Sequence, residues 1–273
     1  MLLSSFDHWT CPGCGSAYAT VNGVPVLFPA DEELASILGP EQGNSLSKLQ
    51  AIYDRAYSHD GLMGTDLDQA YDQETKGLLL SFVEPLDGKR LLDVGAGTGR
   101  LWDYVGPNVQ GYALDLSIVG LSKALQKHPT LTASVSIAER IPYPDGFFAA
   151  VIAADTIEHT FSPQRALQEI HRVLEPGGIF SVSFPIPKSL RKWGWNRLIR
   201  GRPSLSFLLR LAGVLLKRIL LFGRPDFQPI DRDHTLDEWE QKLAQAGFFV
   251  DKVQVWPQFP DIPIAYLIRA IRV

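Results

Sequence analysis

The stretch Leu91-Leu92-Asp93-Val94-Gly95-Ala96-Gly97-Thr98-Gly99 constrains the fold more than any other part of this sequence. An apolar run of strand length ends in a carboxylate and passes into three glycines at alternating positions. Glycines there permit a tight turn and let backbone approach a ligand closely. A helix following such a turn would offer unbonded N–H groups to an anion, for example an amino-acid carboxylate. The spacing is not the dinucleotide fingerprint G-x-G-x-x-G, because position 100 is Arg and the third glycine comes one residue early. A nicotinamide-dependent oxidoreductase is therefore disfavoured.

Beyond this motif the pattern alternates. Arg90–Val94, Gln110–Leu114, Ala133–Ile137, Ala149–Ala154 and Gly178–Phe184 are short apolar strand candidates, and helical patterns such as Pro163–Leu174 lie between most of them. Strands alternating with helices imply βαβ units and a parallel sheet. Thr235–Ala246 reads as a helix with Gly247 as its stop, and Phe248–Val255 and Ile264–Val273 read as two closing strands. Upstream, residues 31–88 look mostly helical and polar, with Tyr53, Tyr57 and Tyr71 interspersed. In residues 1–30, Asn22-Gly23 between β-prone runs predicts a hairpin. The expected organisation is a small β unit over 1–30, a helical cap over 31–88 and one α/β domain over 89–273, carrying an insertion at 188–228.

On these motifs the chain resembles the class I S-adenosylmethionine-dependent methyltransferases, and within them the group that includes the ubiquinone and menaquinone C-methyltransferases. The likeness covers roughly residues 50–273 with a break at the insertion. It implies a doubly wound, seven-stranded, mostly parallel sheet with an antiparallel last strand, S-adenosyl-L-methionine as cofactor, and methyl transfer as the activity. It also implies that Asp93, Gly95, Ala96, Gly97, Thr98 and Gly99 hold the methionine part of the cofactor. Asp115 lies 22 residues after Asp93, at the end of the second strand, and an acidic residue there can accept hydrogen bonds from both ribose hydroxyls; alone, it would read as a helix N-cap. Leu116 follows it in the same contact set.

Ala138-Glu139 resembles the segment near the adenine ring. The family's side-chain carboxylate one residue earlier is replaced by Ile137, so adenine recognition is expected from backbone groups at Ala138 and Glu139, with Ile137 packing on the ring. The fourth strand ends in Ala154-Asp155-Thr156-Ile157-Glu158-His159, facing the crevice where such sheets bind ligands. Asp155 and Thr156 are expected beside the cofactor, and His159 and Asp155 are the candidate catalytic groups. The alternative is that Glu158 and His159 only orient their loop. His171, inside a helix, reads as structural. Methyl transfer from an activated sulfonium draws much of its acceleration from alignment, so the lack of an obvious hydrolytic or metal constellation does not count against it.

Charge is unevenly spread. Between Lys188 and Arg224 there are ten Lys and Arg and no acidic residue, leaving 16 basic against 30 acidic residues elsewhere. An overall net charge of −4 argues against nucleic-acid binding. Leu205–Phe222 is apolar but interrupted by Arg210, Lys217 and Arg218, so it is not read as membrane-spanning. Ser206, Arg210, Gly213 and Lys217 would share one narrow stripe of a helix, the rest being apolar. Such a segment is expected to cover the acceptor pocket. It could also lie on a membrane surface beside a small-molecule or lipid-like acceptor, or pack internally or in a homodimer.

Only two cysteines occur, Cys11 and Cys14, which excludes a disulfide framework. With no basic-then-apolar N-terminal run, the expected setting is cytoplasmic, at most peripheral at a membrane. Cys11-Pro12-Gly13-Cys14 together with Gly23–Leu27 resembles half of a zinc-ribbon-like domain of methyltransferase activators. A structural zinc wants four ligands, and the chain offers two thiols and His8. No intrachain metal is expected; a metal shared between chains is the alternative. The expected function is methyl transfer to an unidentified acceptor; a noncatalytic subunit that activates or scaffolds a partner is the rival.

Overall fold

The computed structural model describes residues 8–10, 15, 17–29, 31–38, 43–59, 69–186, 212–213, 216, 219–220, 230, 232–259 and 262–273. Its centre is a seven-stranded sheet in the order β6-β5-β4-β7-β8-β10-β9. The strands are β4 (Arg90–Val94), β5 (Gln110–Asp115), β6 (Thr132–Val135), β7 (Phe148–Ala154), β8 (Leu174–Pro185), β9 (Phe248–Phe259) and β10 (Ile262–Arg272). β4 pairs in parallel with β5 and β7, β5 with β6, and β7 with β8. Only β10 runs against its neighbours β8 and β9. The doubly wound sheet with an antiparallel last strand is therefore present.

The central strands are apolar at nearly every position because both faces are covered. Alternation sends Leu92 and Val94 to one face, where they pack with Leu167, Ile170, Phe184 and Trp239. Leu91 goes to the other face, with Leu79, Phe82, Trp102 and Leu121. On the first face lie α5 (Pro163–Val173) and α6 (Leu236–Gln245). α5 starts where the Ser162 hydroxyl accepts the Arg165 N–H, with Pro163 in the first turn. α6 starts at a reciprocal capping box of Thr235 and Glu238 and ends at Gly247, whose φ of 94° continues no helix. On the second face lie α3 (Gln69–Ser81) and α4 (Ile118–Lys127).

The N-terminal part is attached to the edge and top of this sheet. β1 (His8–Thr10), β2 (Ala17–Val21) and β3 (Val24–Pro25) form a small antiparallel sheet. The predicted hairpin is present, with Asn22 and Gly23 both at positive φ, 53° and 78°. The chain then bridges in parallel from Val26 to Val135, and the Leu27 N–H donates to the Val135 carbonyl at 2.8 Å. The edge of β6 is thus covered by the ribbon. Two helices follow, α1 (Asp31–Leu38) and α2 (Gly43–Ser58). Cys11, Cys14, Tyr71's side chain and most of the 188–228 insertion lie outside the described residues. Of the insertion, Ala212, Gly213, Leu216, Ile219 and Leu220 are described; they are helical and exposed.

Candidate active site

In this sheet the strand order changes direction beside β4, so the carboxyl ends of β4, β5 and β7 open a crevice. The glycine loop lies there with Gly95, Gly97 and Gly99 at φ 77°, 52° and 76°. Its amides are mostly used inside the protein. Gly95 and Ala96 donate to the Leu114 carbonyl at 2.8 and 3.1 Å, Gly97 donates to Asp115 Oδ2 at 2.8 Å, and Gly99 donates to the Ala96 carbonyl at 2.9 Å. Each glycine also admits another part of the chain. An added Cβ would stand 2.2 Å from Thr156 Oγ1 at Gly95, 2.6 Å from the Tyr57 hydroxyl at Gly97 and 2.9 Å from the Ala124 Cβ at Gly99. Thr98, between the last two, is half-buried.

One expectation fails. The loop is followed not by an α-helix with an anion-binding N-terminus but by a four-residue 3-10 turn, Arg100–Asp103. Leu101 and Trp102 both turn into the core there, and Gly106-Pro107 follows at once, so no helix can grow. The Gly95, Ala96, Gly97 and Gly99 amides are also not free for an anionic end of a ligand at this loop.

Asp115 ends β5 and is buried. Its Oδ1 accepts the Ser117 N–H at 2.7 Å, and its Oδ2 accepts that of Gly97. Ser117, not Asp115, caps α4, accepting the Gly120 N–H at 3.1 Å. Each Asp115 oxygen keeps a second lone pair, a set that fits two ribose hydroxyls. Burial pushes its pKa up to about 6 against those N–H bonds, with Asp54 adding to the rise. Asp93 is buried one strand away, on the face of Leu91; burial pushes it up to about 7, Lys76 opposing. Two raised carboxyls and three left-handed glycines make a cradle whose polarity and close backbone suit the amino-acid and ribose parts of S-adenosyl-L-methionine.

The adenine side is more apolar than expected. Leu116 and Ile137 pack with Leu34, Ile37 and Leu46 of α1 and α2, and with Phe161. Ala138 is buried in the core beneath. The Glu139 carboxylate turns inward and accepts the Ser162 N–H at 3.0 Å; burial raises its pKa, and that bond opposes the rise. Its side chain therefore supports the start of α5, and only its backbone is available to a ring.

At the end of β7, Asp155 takes a left-handed φ of 48°. For a residue with a Cβ this is strained. Ser183 on β8 holds it, donating to Asp155 Oδ1 at 2.8 Å and accepting its N–H at 2.9 Å. Thr156 Oγ1 bonds the Ala154 carbonyl at 3.0 Å, which aims the side chain at Gly95. His159 Nδ1 lies 2.7 Å from the Ile230 carbonyl. A carbonyl only accepts, so Nδ1 carries the hydrogen and Nε2 of the neutral ring keeps its lone pair. Glu158 Oε1 lies 3.7 Å from that Nε2. The segment containing Ile230 is fastened by Arg232, which donates from its backbone to the Glu158 carbonyl and from Nη2 to that of Phe161 at 2.6 Å. His171 packs against Gly247 and Phe248, as a structural residue would. No cluster of three or more metal-ligating side chains occurs among the described residues.

The site therefore brings together Asp93, the glycine loop, Asp115, Leu116, Asp155, Thr156 and, at its rim, His159. Sequence reading passed over α2. Gln50 Nε2 donates to the Leu116 carbonyl at 3.1 Å. Asp54 Oδ1 accepts from the Ser117 hydroxyl at 2.5 Å and the Val119 N–H at 3.2 Å. Lys123 Nζ donates to the Tyr57 carbonyl at 2.7 Å. Positions 50, 53, 54 and 57 share one helical face, a signal that was available.

Residues 92–182 match a family profile described as a methyltransferase domain. A demethylmenaquinone methyltransferase of Chlorobaculum parvum is 28% identical over 188 residues, 65% of this chain and 72% of the relative. Residues 92–182 thus carry a methyltransferase domain, and the chain is similar to the class I S-adenosylmethionine-dependent methyltransferases. Solved structures share the fold. A chain of the complex between the Haloferax volcanii Trm112 methyltransferase activator and a methyltransferase superposes with a TM-score of 0.58 at 14% identity, over 80% of this chain and 96% of that one. An S-adenosylmethionine-dependent methyltransferase of Mesorhizobium loti gives 0.54 at 19% identity, over 72% and 96%. The chain thus carries the sheet of these structures, with the N-terminal ribbon and helices packed around it.

Proposed function

We propose that the protein transfers a methyl group from S-adenosyl-L-methionine to a lipid-like, quinone-class small molecule. The observation that carries the reading is a contact: the Thr156 side chain fills the space over Gly95. It joins the Asp93–Asp115 cradle to the loop that bears His159, so a cofactor half and an acceptor half share one carboxyl edge. In this reading Asp93, Gly95–Gly99, Asp115 and Leu116 hold the methionine and ribose parts, the Ala138 and Glu139 backbone meets the adenine, and Asp155 and Thr156 stand beside the reacting group. The cofactor, when bound, supplies an electrophilic methyl. His159 Nε2 takes a proton from the acceptor where one must leave. Names of relatives such as demethylmenaquinone methyltransferase support a quinone-class acceptor.

The insertion supports an apolar one. It leaves after Ile186 at the end of β8 and returns at Ile230 on His159, so both its ends stand at the acceptor edge. Its described large apolar side chains, Leu216, Ile219 and Leu220, are exposed by 57%, 44% and 75%. In the same reading residues 188–228 cover the acceptor and touch a membrane surface peripherally; no helix among the described residues is long and apolar enough to cross one. Residues 1–30 act as an edge cap left from an activator-like domain, 31–88 as a helical cap and 89–273 as the catalytic domain.

The test is mass spectrometry of cell-lipid extracts incubated with the protein and methyl-labelled cofactor. A labelled product in the apolar fraction is expected; label confined to polar metabolites would overturn the acceptor class. Flotation with anionic vesicles tests the membrane arm: wild type floats, and a variant with Arg210, Lys217 and Arg218 changed to Glu stays in solution.

A further inference from the structure

The failed helix after the glycine loop leaves a chemical requirement open. An amino-acid carboxylate lying on this loop needs a strong donor, and the Gly95, Ala96, Gly97 and Gly99 amides are spent within the protein. The side chain nearest Gly97 comes from α2. The Tyr57 hydroxyl stands 2.6 Å from where a Gly97 Cβ would lie, and its ring edge stands 3.1 Å from that of Gly120. Two glycines, one in the loop and one in α4, thus make room for a single tyrosine. We propose that Tyr57 is a cofactor-binding residue, its hydroxyl donating to the carboxylate of the cofactor's methionine part over Gly97. The inference rests on the reading of the loop as a cofactor site.

Three features fit this role. Tyr57 is placed by its helix rather than by a loose loop: Asp54, one residue short of a turn earlier, ties α2 to Ser117 and Val119, and Lys123 holds the Tyr57 carbonyl. The hydroxyl keeps its proton, because burial and the nearby Asp115 raise its pKa well above the ordinary value; a donor is what a carboxylate needs. Arg100, at the far end of the loop, also acts on Tyr57 electrostatically and opposes Asp115 and Asp93 there, so the place holds a cation as well as the two cradle carboxyls. α2 lies outside the segment matched by the methyltransferase family profile.

The test uses two ligands, S-adenosylhomocysteine and 5′-methylthioadenosine, which lacks the amino-acid end. Both are titrated calorimetrically into wild type and Tyr57→Phe, with thermal melts to confirm folding. The expected result is roughly ten- to hundredfold weaker S-adenosylhomocysteine binding in Tyr57→Phe, the loss of one charge-assisted hydrogen bond, with 5′-methylthioadenosine affinity within about twofold. Unchanged or tighter S-adenosylhomocysteine binding would show that Tyr57 is a plug or a packing residue. Equal weakening of both ligands would show that it acts only by seating α2. Either result overturns the assignment. If wild type binds neither ligand, the cofactor reading itself falls. Should Tyr57→Phe melt early, Asp54→Asn, which loosens α2 and keeps the phenol, provides the comparison: the proposal then requires both ligands to weaken together in that variant.

Discussion

The glycine loop and the loop after β7 meet at Gly95, yet they are held in different ways. The glycine loop is held locally. Its amides go to Leu114, Asp115 and Ala96, all on or beside the two strands it joins. The β7 loop is held from far along the chain, by Ser183 at the end of β8 and by the Ile230 carbonyl and Arg232 beyond the insertion. A short-range frame suits a cofactor that never changes. On the proposed function, a long-range frame would let an inserted segment reshape the acceptor side while the cofactor side stays as it is.

The sharpest way to break the comparison is Gly97→Val. Its φ of 52° is hostile to a β-branched residue, and a Cβ would strike Tyr57. S-adenosylhomocysteine binding should fall below detection in calorimetry, with the fold retained by circular dichroism. His159→Ala tests the other side. Loss of a general base costs about a hundredfold or more in kcat, while the affinity for S-adenosylhomocysteine should stay within twofold. A matching loss of affinity would mean that the two loops do not divide the work.

Asp115→Ala should have a smaller effect on the cofactor side. Removing a charged acceptor costs about 1.5–3 kcal/mol, which is roughly ten- to hundredfold in Kd. The smallest effect comes from acidification. Since burial lifts Asp93 to about 7 and Asp115 to about 6, protonation removes acceptor capacity in two stages as pH falls, so affinity declines first through about 7 and further through about 6. Asp115→Asn should bind more weakly and lose the stage near 6 while keeping the one near 7; a wild-type titration flat from pH 6.5 to 5 would show that Asp115 does not meet the ribose.

Much of the cofactor half was legible in the sequence, and for a physical reason. Buried parallel strands read as unbroken apolar runs, so β4 was predicted over Arg90–Val94 and is found there. Turn chemistry placed the Asn22-Gly23 hairpin and the Gly247 stop. The misses share a cause as well. The helix expected after Gly99 is a single tight turn because Leu101 and Trp102 are both drawn into the core, a tertiary demand that no local propensity reports. Tyr57 and Asp54 sit about 40 to 65 residues before the loop and turn they touch, so only the packing of α2 on the β5–α4 turn brings them into the site. The role of Ile230 depends on where a 40-residue insertion returns, which spacing alone does not encode.

One proposal stands above the others, that the β4–β5 crevice holds S-adenosyl-L-methionine. Calorimetric titration of the full chain with S-adenosylhomocysteine, and separately with NAD, tests it most directly. One S-adenosylhomocysteine site per chain, with no heat from NAD, is the predicted result. Saturable binding of NAD, or no binding of S-adenosylhomocysteine by folded protein, would contradict it.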